Sequence, residues 1–335
     1  MNRWIRRAMT SRGLERCFSA LSGPYVTIFM LHRPLPGDRS YHGTSEKLLE
    51  ECLQFAVKQK YDFIALDDLI DRAVQGQRIK RPTLCFTLDD GYSDQVTRLI
   101  PVLLKYDAKP TLFVITDFID GKDWPWDAKI SFLIRNSRLR EASVVMQGSE
   151  IPLKLDSVKD RVHSRRLLSA YAKKIQSSDI PEFVDRISAA LDVETPFSAP
   201  EDYLPASWDQ LREAEKAGVT IGSHARSHFV LSAMNPGRIS EELVYSKARL
   251  KEELQSPSQI FCYPSGTTQD FSRNHELMVR MAHYRGAVST ISQTSYLKDI
   301  RRNPYRVARI GFPGDFDQFM RYASWIEALR SKLPV

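Results

Sequence analysis

The sequence predicts an α/β protein whose parallel strands form a closed or nearly closed barrel. Eight short apolar runs, several rich in β-branched or aromatic residues and bounded by turn residues, are spread along the chain. Segments of helical period lie between them, and this alternation points to a parallel sheet with helices outside it. The length of 335 residues suits one barrel as well as two domains.

In chain order the expected strands are Tyr25–Leu31, Tyr61–Leu66, Thr83–Leu88, Thr111–Thr116, Val219–Ser223, Ile260–Tyr263, Gly286–Thr290 and Arg306–Ile310. Expected helices include Ser45–Lys58, Gln95–Tyr106, Trp208–Ala217 and Arg238–Leu254. Asp67 and Asp68 follow a strand where a helix begins, and they read as N-cap and first-turn acids. Residues 123–200 break the rhythm. Two or three helical patterns there flank a hairpin, Ser143–Met146 and Ile151–Leu155, turning at Gln147-Gly148. This stretch reads as a mainly helical insertion on one rim, where loops decide substrate shape. The expected organisation is a basic amphipathic arm over residues 1–22, a barrel over 23–325 carrying the insertion, and a tail over 326–335.

Hydrophobic residues make up 42% of the chain and charged residues 27%, close to soluble globular averages, which excludes a mostly disordered chain. No stretch approaches the roughly 20 uncharged residues of a spanning helix. Cys17, Cys52, Cys85 and Cys262 match no zinc-knuckle spacing and read as free thiols, which favours a reducing compartment. No apolar core of a signal peptide follows the basic start, so a cytoplasmic protein is expected. The formal charge is +7, and Arg3, Arg6, Arg7, Arg12 and Arg16 account for much of it. Trp4, Ile5, Ala8, Cys17, Phe18 and Leu21 can share one face of a helix broken near Gly13. Two readings are open: a membrane-surface element, or a helix packed on the domain with a solvated basic face. Beyond this arm no basic run interleaves with aromatics, so no nucleic-acid partner is expected.

The sharpest segment is CFTLDDGYSD, residues 85–94. Adjacent carboxylates at the end of a strand repel, and something must offset that. A bound cation is one answer. Separation of roles is another, because successive strand residues point opposite ways and one acid can bind a metal while the other faces substrate. A turn into the next helix through Gly91 and Ser93 is the structural alternative. The second segment is TIGSHARSHFVLS, residues 220–232. His224 and His228 stand four apart after a strand, and on one helical turn two imidazoles so spaced can share a metal. Two ordinary surface or core histidines are the alternative. Two His and one carboxylate with open positions form a common catalytic zinc set and also suit other divalent ions.

TLDDGYSD resembles the first motif of the NodB-type polysaccharide deacetylases, carbohydrate esterase family 4, and SHARSH resembles the second. FCYPSG, residues 261–266, stands where the third is expected. TIFMLHR and Tyr284–Thr290 are similar to members found in bacterial cell-surface polysaccharide gene clusters. The resemblance spans roughly residues 25–325 apart from the insertion. It implies a distorted (β/α) barrel of seven or eight units. It also implies that Asp89 is the general base and that Asp90, His224 and His228 hold a divalent metal, zinc or else cobalt or nickel. The metal acidifies a water and polarises the acetamide carbonyl, and a backbone N–H near Tyr263, Ser265 and Gly266 helps hold the oxyanion.

The sequence also departs from the family. Cys262 stands where the third motif carries an Arg that orients the base, and no Leu-x-His supplies a general acid. His32, at the end of the first strand, is the candidate acid; a buried His bonded to backbone is the other reading. Arg309 and Arg33 are candidates to orient Asp89 or bind phosphate, or are structural ion-pair partners. His42, His163, His275 and His283 show no partner pattern. Trp208 reads as packing. Trp124 and Trp126 open the insertion as candidate sugar platforms.

The resemblance leads to the expectation of a metal-dependent hydrolase that removes the N-acetyl group from an amino sugar of a polysaccharide or lipid-linked glycan, and the basic arm to the expectation of work at the inner face of the cytoplasmic membrane. Hydrolysis of a non-sugar amide and a catalytically silent glycan-binding homologue are the rivals. Deleting residues 1–20 is expected to release the protein from vesicles in a flotation assay; unchanged flotation would exclude a membrane role for the arm.

Overall fold

The computed structural model describes residues 24–36, 43–79 and 81–332. The basic arm and His42 lie outside them. The eleven strands described are β1 Tyr25–Leu31, β2 Asp62–Phe63, β3 Thr83–Leu88, β4 Thr111–Val114, β5 Glu141–Met146, β6 Ser149–Lys154, β7 Thr220–Ser223, β8 Ile260–Cys262, β9 Gly286–Val288, β10 Ser295–Tyr296 and β11 Ile310–Gly311. Parallel pairing runs β1–β3–β4–β7–β8–β9. From β9 a bridge joins Val288 to Val307, and β11 returns parallel to β1 through Phe29 and Ile310. The pairings thus come back to the first strand, and the fold is an α/β barrel.

Alternation along the strands divides two layers. Leu84, Phe86 and Leu88 of β3 join Phe29 and Leu31 of β1 in an outer core under helix Glu46–Lys58, whose Leu49, Cys52, Leu53 and Ala56 face the sheet. The opposite parity, Val26, Ile28, Cys85, Phe113, Ile260, Cys262 and Val288, belongs to the inner cluster. Helix Leu66–Val74 stops the N-terminal end of the barrel with Leu66, Leu69, Ile70 and Ala73. Its N-cap is Ala65, not an acid. Asp67 instead accepts from Ser258 Oγ at 2.7 Å and from the Gln259 N–H, tying the stopper to the start of β8.

Several expected elements differ at their ends. The strand expected over 61–66 contracts to β2, because Leu66 already opens a helix. The strand expected to Thr116 ends at Val114, where helix Thr116–Ile119 takes over. The helix expected over 95–106 divides into a π turn, Gln95–Leu99, and an α segment, Ile100–Leu104. Within the segment read as a tail, helix Trp325–Arg330 sets Ala328 against Tyr25 and Tyr296.

Residues 123–200 contain helices Trp126–Asn136, Val158–Ala172 and Ile180–Leu191 and the β5–β6 hairpin. They share their own apolar core, including Leu133, Met146, Leu153, Leu168, Phe183 and Ile187. Cys52, Cys85 and Cys262 are buried and free. Among the described residues no helix is long and apolar enough to cross a membrane.

The turn after β3 is held by one side chain. Gln95 is fully buried; its Oε1 accepts from the N–H groups of Gly91 and Tyr92, and its Nε2 donates to the carbonyls of His32 and Asp89. Asp90 and Gly91 have φ of 88° and 90°. At Gly91 a Cβ would stand 2.9 Å from Val114, so only glycine fits there without a shift. Gln95→Leu leaves four backbone groups, three of them buried, without that partner and is expected to cost about 2–4 kcal/mol. The urea midpoint should fall at unchanged slope; a wild-type midpoint would mean the clasp is dispensable.

Candidate metal centre and active site

Parallel strands bring their C-terminal ends to one rim. His32 follows β1, Asp89 and Asp90 follow β3, His224 follows β7, Tyr263 to Ser265 follow β8, and Thr290 follows β9. All of them except Pro264, together with His228, line one cavity of about 220 Å³. The insertion closes its side with Trp126, Asp127, Arg165, Ser169 and Lys173.

Three of these residues converge. Asp90 Oδ1 lies 3.6 Å from His224 Nε2 and 3.5 Å from His228 Nε2. A tetrahedral zinc with bonds of about 2.1 Å sets its ligands about 3.4 Å apart, so the set fits a divalent ion. The outer ring nitrogens are engaged as a metal site requires. His224 Nδ1 is 2.9 Å from the Cys262 carbonyl, which can only accept, so the proton resides on Nδ1 and Nε2 is a free lone pair. His228 Nδ1 is 3.1 Å from Asp127 Oδ1. Burial pulls His224 down to about 3, which keeps it neutral and able to ligate. Burial also works against a charged His228, but the carboxylates of Asp127 and Asp90 together raise the group. Burial raises Asp90 despite the pull of His228.

The histidine spacing does not report a helical turn. Residues 224–230 form a loop, with Ala225 and His228 at φ of 65° and 64°. The buried Glu242 carboxylate holds it, accepting from the N–H groups of Arg226 and Ser227 and from Ser227 Oγ at 2.6 Å. The loop doubles back and brings the two rings to 4.9 Å.

Asp89 continues the inward parity of Cys85 and Thr87. Arg309 meets it with two parallel bonds, Nη1 to Oδ1 at 2.7 Å and Nη2 to Oδ2 at 2.8 Å. Arg309 is 0% exposed and Asp89 2%. Burial alone would raise the Asp89 carboxyl; the guanidinium overrides it and holds the group well below the usual carboxylate range. Arg309 therefore stands where an orienting arginine was missed at position 262. Its Nη2 also lies 3.1 Å from Cys262 Sγ. Asp89, His224 and Cys262 form a second possible ligand cluster. The guanidinium on two of its members excludes another cation there.

The remaining candidates separate. Tyr263 is buried, stacked on Phe271 at 4.0 Å, and its hydroxyl donates to the Tyr305 carbonyl. The Gly266 N–H is bonded to the Pro264 carbonyl and the Tyr263 N–H to that of Val288. The Ser265 N–H has no hydrogen bond among the described residues. Trp124 is 2% exposed, packed against Phe132 and Tyr203, with its Nε1 on the Pro196 carbonyl; it is core, not an open sugar platform. Trp126 forms cavity wall, its Nε1 donating to the His228 carbonyl. Trp208 packs against the outer core and donates to Asp120. His32 is exposed at the cavity, not buried, and its ring makes no hydrogen bond among the described residues. Arg33 is an ion-pair partner of Asp94 at 2.6 Å. Asp127 and Gln95 escaped the sequence reading. The Asp in WPWD carries no spacing signal, and Gln95 acts through backbone groups.

Comparison with known proteins extends this geometry. The family model for polysaccharide deacetylase matches residues 76–152 and 166–285, more than half of the chain. Comparison with curated proteins finds no match. Among solved structures, the Streptococcus pyogenes deacetylase PplD, in complex with acetate, aligns with TM-score 0.58 and 16% identity, covering 92% of this chain and 99% of its own. IcaB from Ammonifex degensii aligns with TM-score 0.58 and 16% identity over 91% and 98%. The de-N-acetylase from Aggregatibacter actinomycetemcomitans aligns with 0.55 and 13% over 89% and 99%. At such identities these neighbours speak for the fold. With the family match, they make this chain a member of the polysaccharide deacetylase family, hydrolases of carbon–nitrogen bonds other than peptide bonds.

Proposed function

We propose that the enzyme removes the N-acetyl group from an amino sugar of a polysaccharide or lipid-linked glycan and releases acetate. A divalent ion, zinc by donor set with cobalt or nickel as alternatives, is held by Asp90, His224 and His228. The observation that carries this reading is the pairing of Asp89 with Arg309 beside that ligand set. A glycan-binding protein needs the ligands but has no use for an oriented second carboxylate.

When bound, such an ion acidifies a water and polarises a carbonyl oxygen. The chain supplies the rest. Arg309 keeps Asp89 ionised and turned to the cavity, where it accepts the proton of the attacking water. A carboxylate held this acidic retains a proton poorly, so it acts by position and passes the proton on. The Ser265 N–H donates to the oxyanion of the tetrahedral intermediate. His32, reaching the same cavity, protonates the departing amine. Asp127 orients His228, and the Cys262 carbonyl orients His224. The arginines of the N-terminal arm support work at the inner face of the cytoplasmic membrane.

Asp89→Asn is expected to lower acetate release from N-acetylated oligosaccharides by about 10²–10⁴-fold. Chelation should abolish release and zinc restore it. No acetate with zinc, cobalt or nickel would favour the glycan binder, and release from simple amides alone the non-sugar reading. Arg309→Lys keeps the charge but not the two-pronged grip. It should lower kcat on the order of 10²-fold with KM little changed; a pure KM effect would remove Arg309 from base positioning.

A further inference from the structure

One wall of the catalytic cavity has no role in the chemistry above. Arg165 and Ser169 lie on helix Val158–Ala172, and Lys173 is its C-cap. Spaced four apart, they form one stripe of that helix, and all three line the cavity that holds the ligand set. Arg165 and Lys173 are half-buried and lie within electrostatic reach of Asp127 and His228.

Their partners are missing from the protein. Among the described residues neither cation makes an ion pair, whereas Arg33, Arg135 and Arg186 each hold a carboxylate. The Ser169 hydroxyl is buried with no hydrogen-bond partner. The acids of the cavity are already engaged: Asp89 by Arg309, Asp127 by His228, and Asp90 in the ligand set. A helix C-terminus favours a nearby lysine, which accounts for part of Lys173 but for neither Arg165 nor Ser169. Two cations beside a cation site repel it as well. The hydroxyls of a neutral sugar could hydrogen-bond these groups but would leave both positive charges uncompensated; an anion would answer all three together. The stripe spans roughly 12 Å of helix, longer than one hexose ring, so it can reach a substituent beyond the reacting sugar.

We propose that Arg165, Ser169 and Lys173 form a subsite for an anionic oxygen group, phosphate or carboxylate, carried on or next to the N-acetylated sugar. This rests on the reading that the cavity deacetylates an amino sugar. A guanidinium takes such a group through paired N–H bonds, the ammonium adds a point charge, and the serine hydroxyl donates to a further oxygen.

The test compares three probes on the zinc-loaded enzyme: N-acetylglucosamine 1-phosphate, a glucuronic acid–N-acetylglucosamine disaccharide, and neutral di-N-acetylchitobiose. At least one anionic probe should be preferred by about tenfold in kcat/KM, mainly through KM. Whether phosphate or carboxylate gains more identifies the source of the charge. In Arg165→Gln/Lys173→Gln the preference should fall to near one, while Arg166→Gln, an exposed neighbour on the same helix, should retain it. No preference in the wild type, or one kept by the double variant, overturns the subsite. Calorimetry of the same anions on chelator-treated protein separates the two readings. Binding lost in the double variant supports the subsite even if no probe releases acetate, a result that would sink the deacetylase reading alone. Acetate release from the neutral probe without anion binding or preference sinks the subsite alone.

Discussion

The buried pair of Asp89 and Arg309 is the constraint on which the interior depends. Placing two charges in a barrel core carries a desolvation cost that attraction offsets only with good geometry and satisfied hydrogen bonds. Both conditions are met. The guanidinium has five N–H donors, and the structure engages them with Asp89, Thr87, Cys262 and the Ser289 carbonyl. These partners belong to β3, β8 and the end of β9, while Arg309 itself stands 220 residues from Asp89 in sequence. One side chain thus laces the interior to the last strand that closes the ring. Removing either partner strands a buried charge, which costs about 3–5 kcal/mol. Orientation of Asp89 and closure of the barrel are therefore one requirement.

The barrel supplies Asp89, Asp90, His224, His228 and Ser265, but the site is completed from outside it. Helix Trp126–Asn136 begins with Trp126 under the His228 carbonyl and Asp127 on the His228 ring. Both contacts act on His228, which sits at positive φ in a loop outside the strands. The insertion thus holds the less constrained half of the ligand set, and it has a core of its own to stay rigid while doing so. Metal affinity and access to the cavity are for that reason coupled to the same helix.

Much of the architecture was legible because it rests on local pattern. Predominantly apolar runs such as Thr83–Leu88 read as strands of a covered sheet, and this one is buried on both faces. The ligand set was legible because His224, His228 and Asp90 lie next to strand ends. What escaped reading depends on distance in sequence. The bond from Asp127 to His228 spans 101 residues and leaves no spacing to find, whereas Arg309, 220 residues from Asp89, was a candidate to orient it that the sequence could not separate from an ordinary ion-pair partner. Trp124 misled because exposure, not residue type, decides whether an aromatic can stack on a sugar. The His224–His228 spacing predicted convergence of the two rings through a helical turn; the structure brings them together through a doubled loop held by Glu242.

Cys262 in place of an arginine looked like a damaged motif, and the geometry removes that reading. A linear motif records which residues adjoin in the chain; the base responds only to where a guanidinium stands. In a ring of parallel strands the inner side chains of several strands converge on one axis, so the point beside Asp89 can be reached from more than one of them. The positions are exclusive, because two guanidiniums on a single buried carboxylate would leave one positive charge unpaired in a low dielectric. With Arg309 in place, the residue at 262 has to be small and uncharged at neutral pH. Burial meets the second condition by keeping the Cys262 thiol protonated, and its sulfur accepts one of the arginine's hydrogens. The substitution at 262 and the arginine at 309 are two halves of one arrangement, and the loss of either half alone would leave Asp89 without its partner or with one too many.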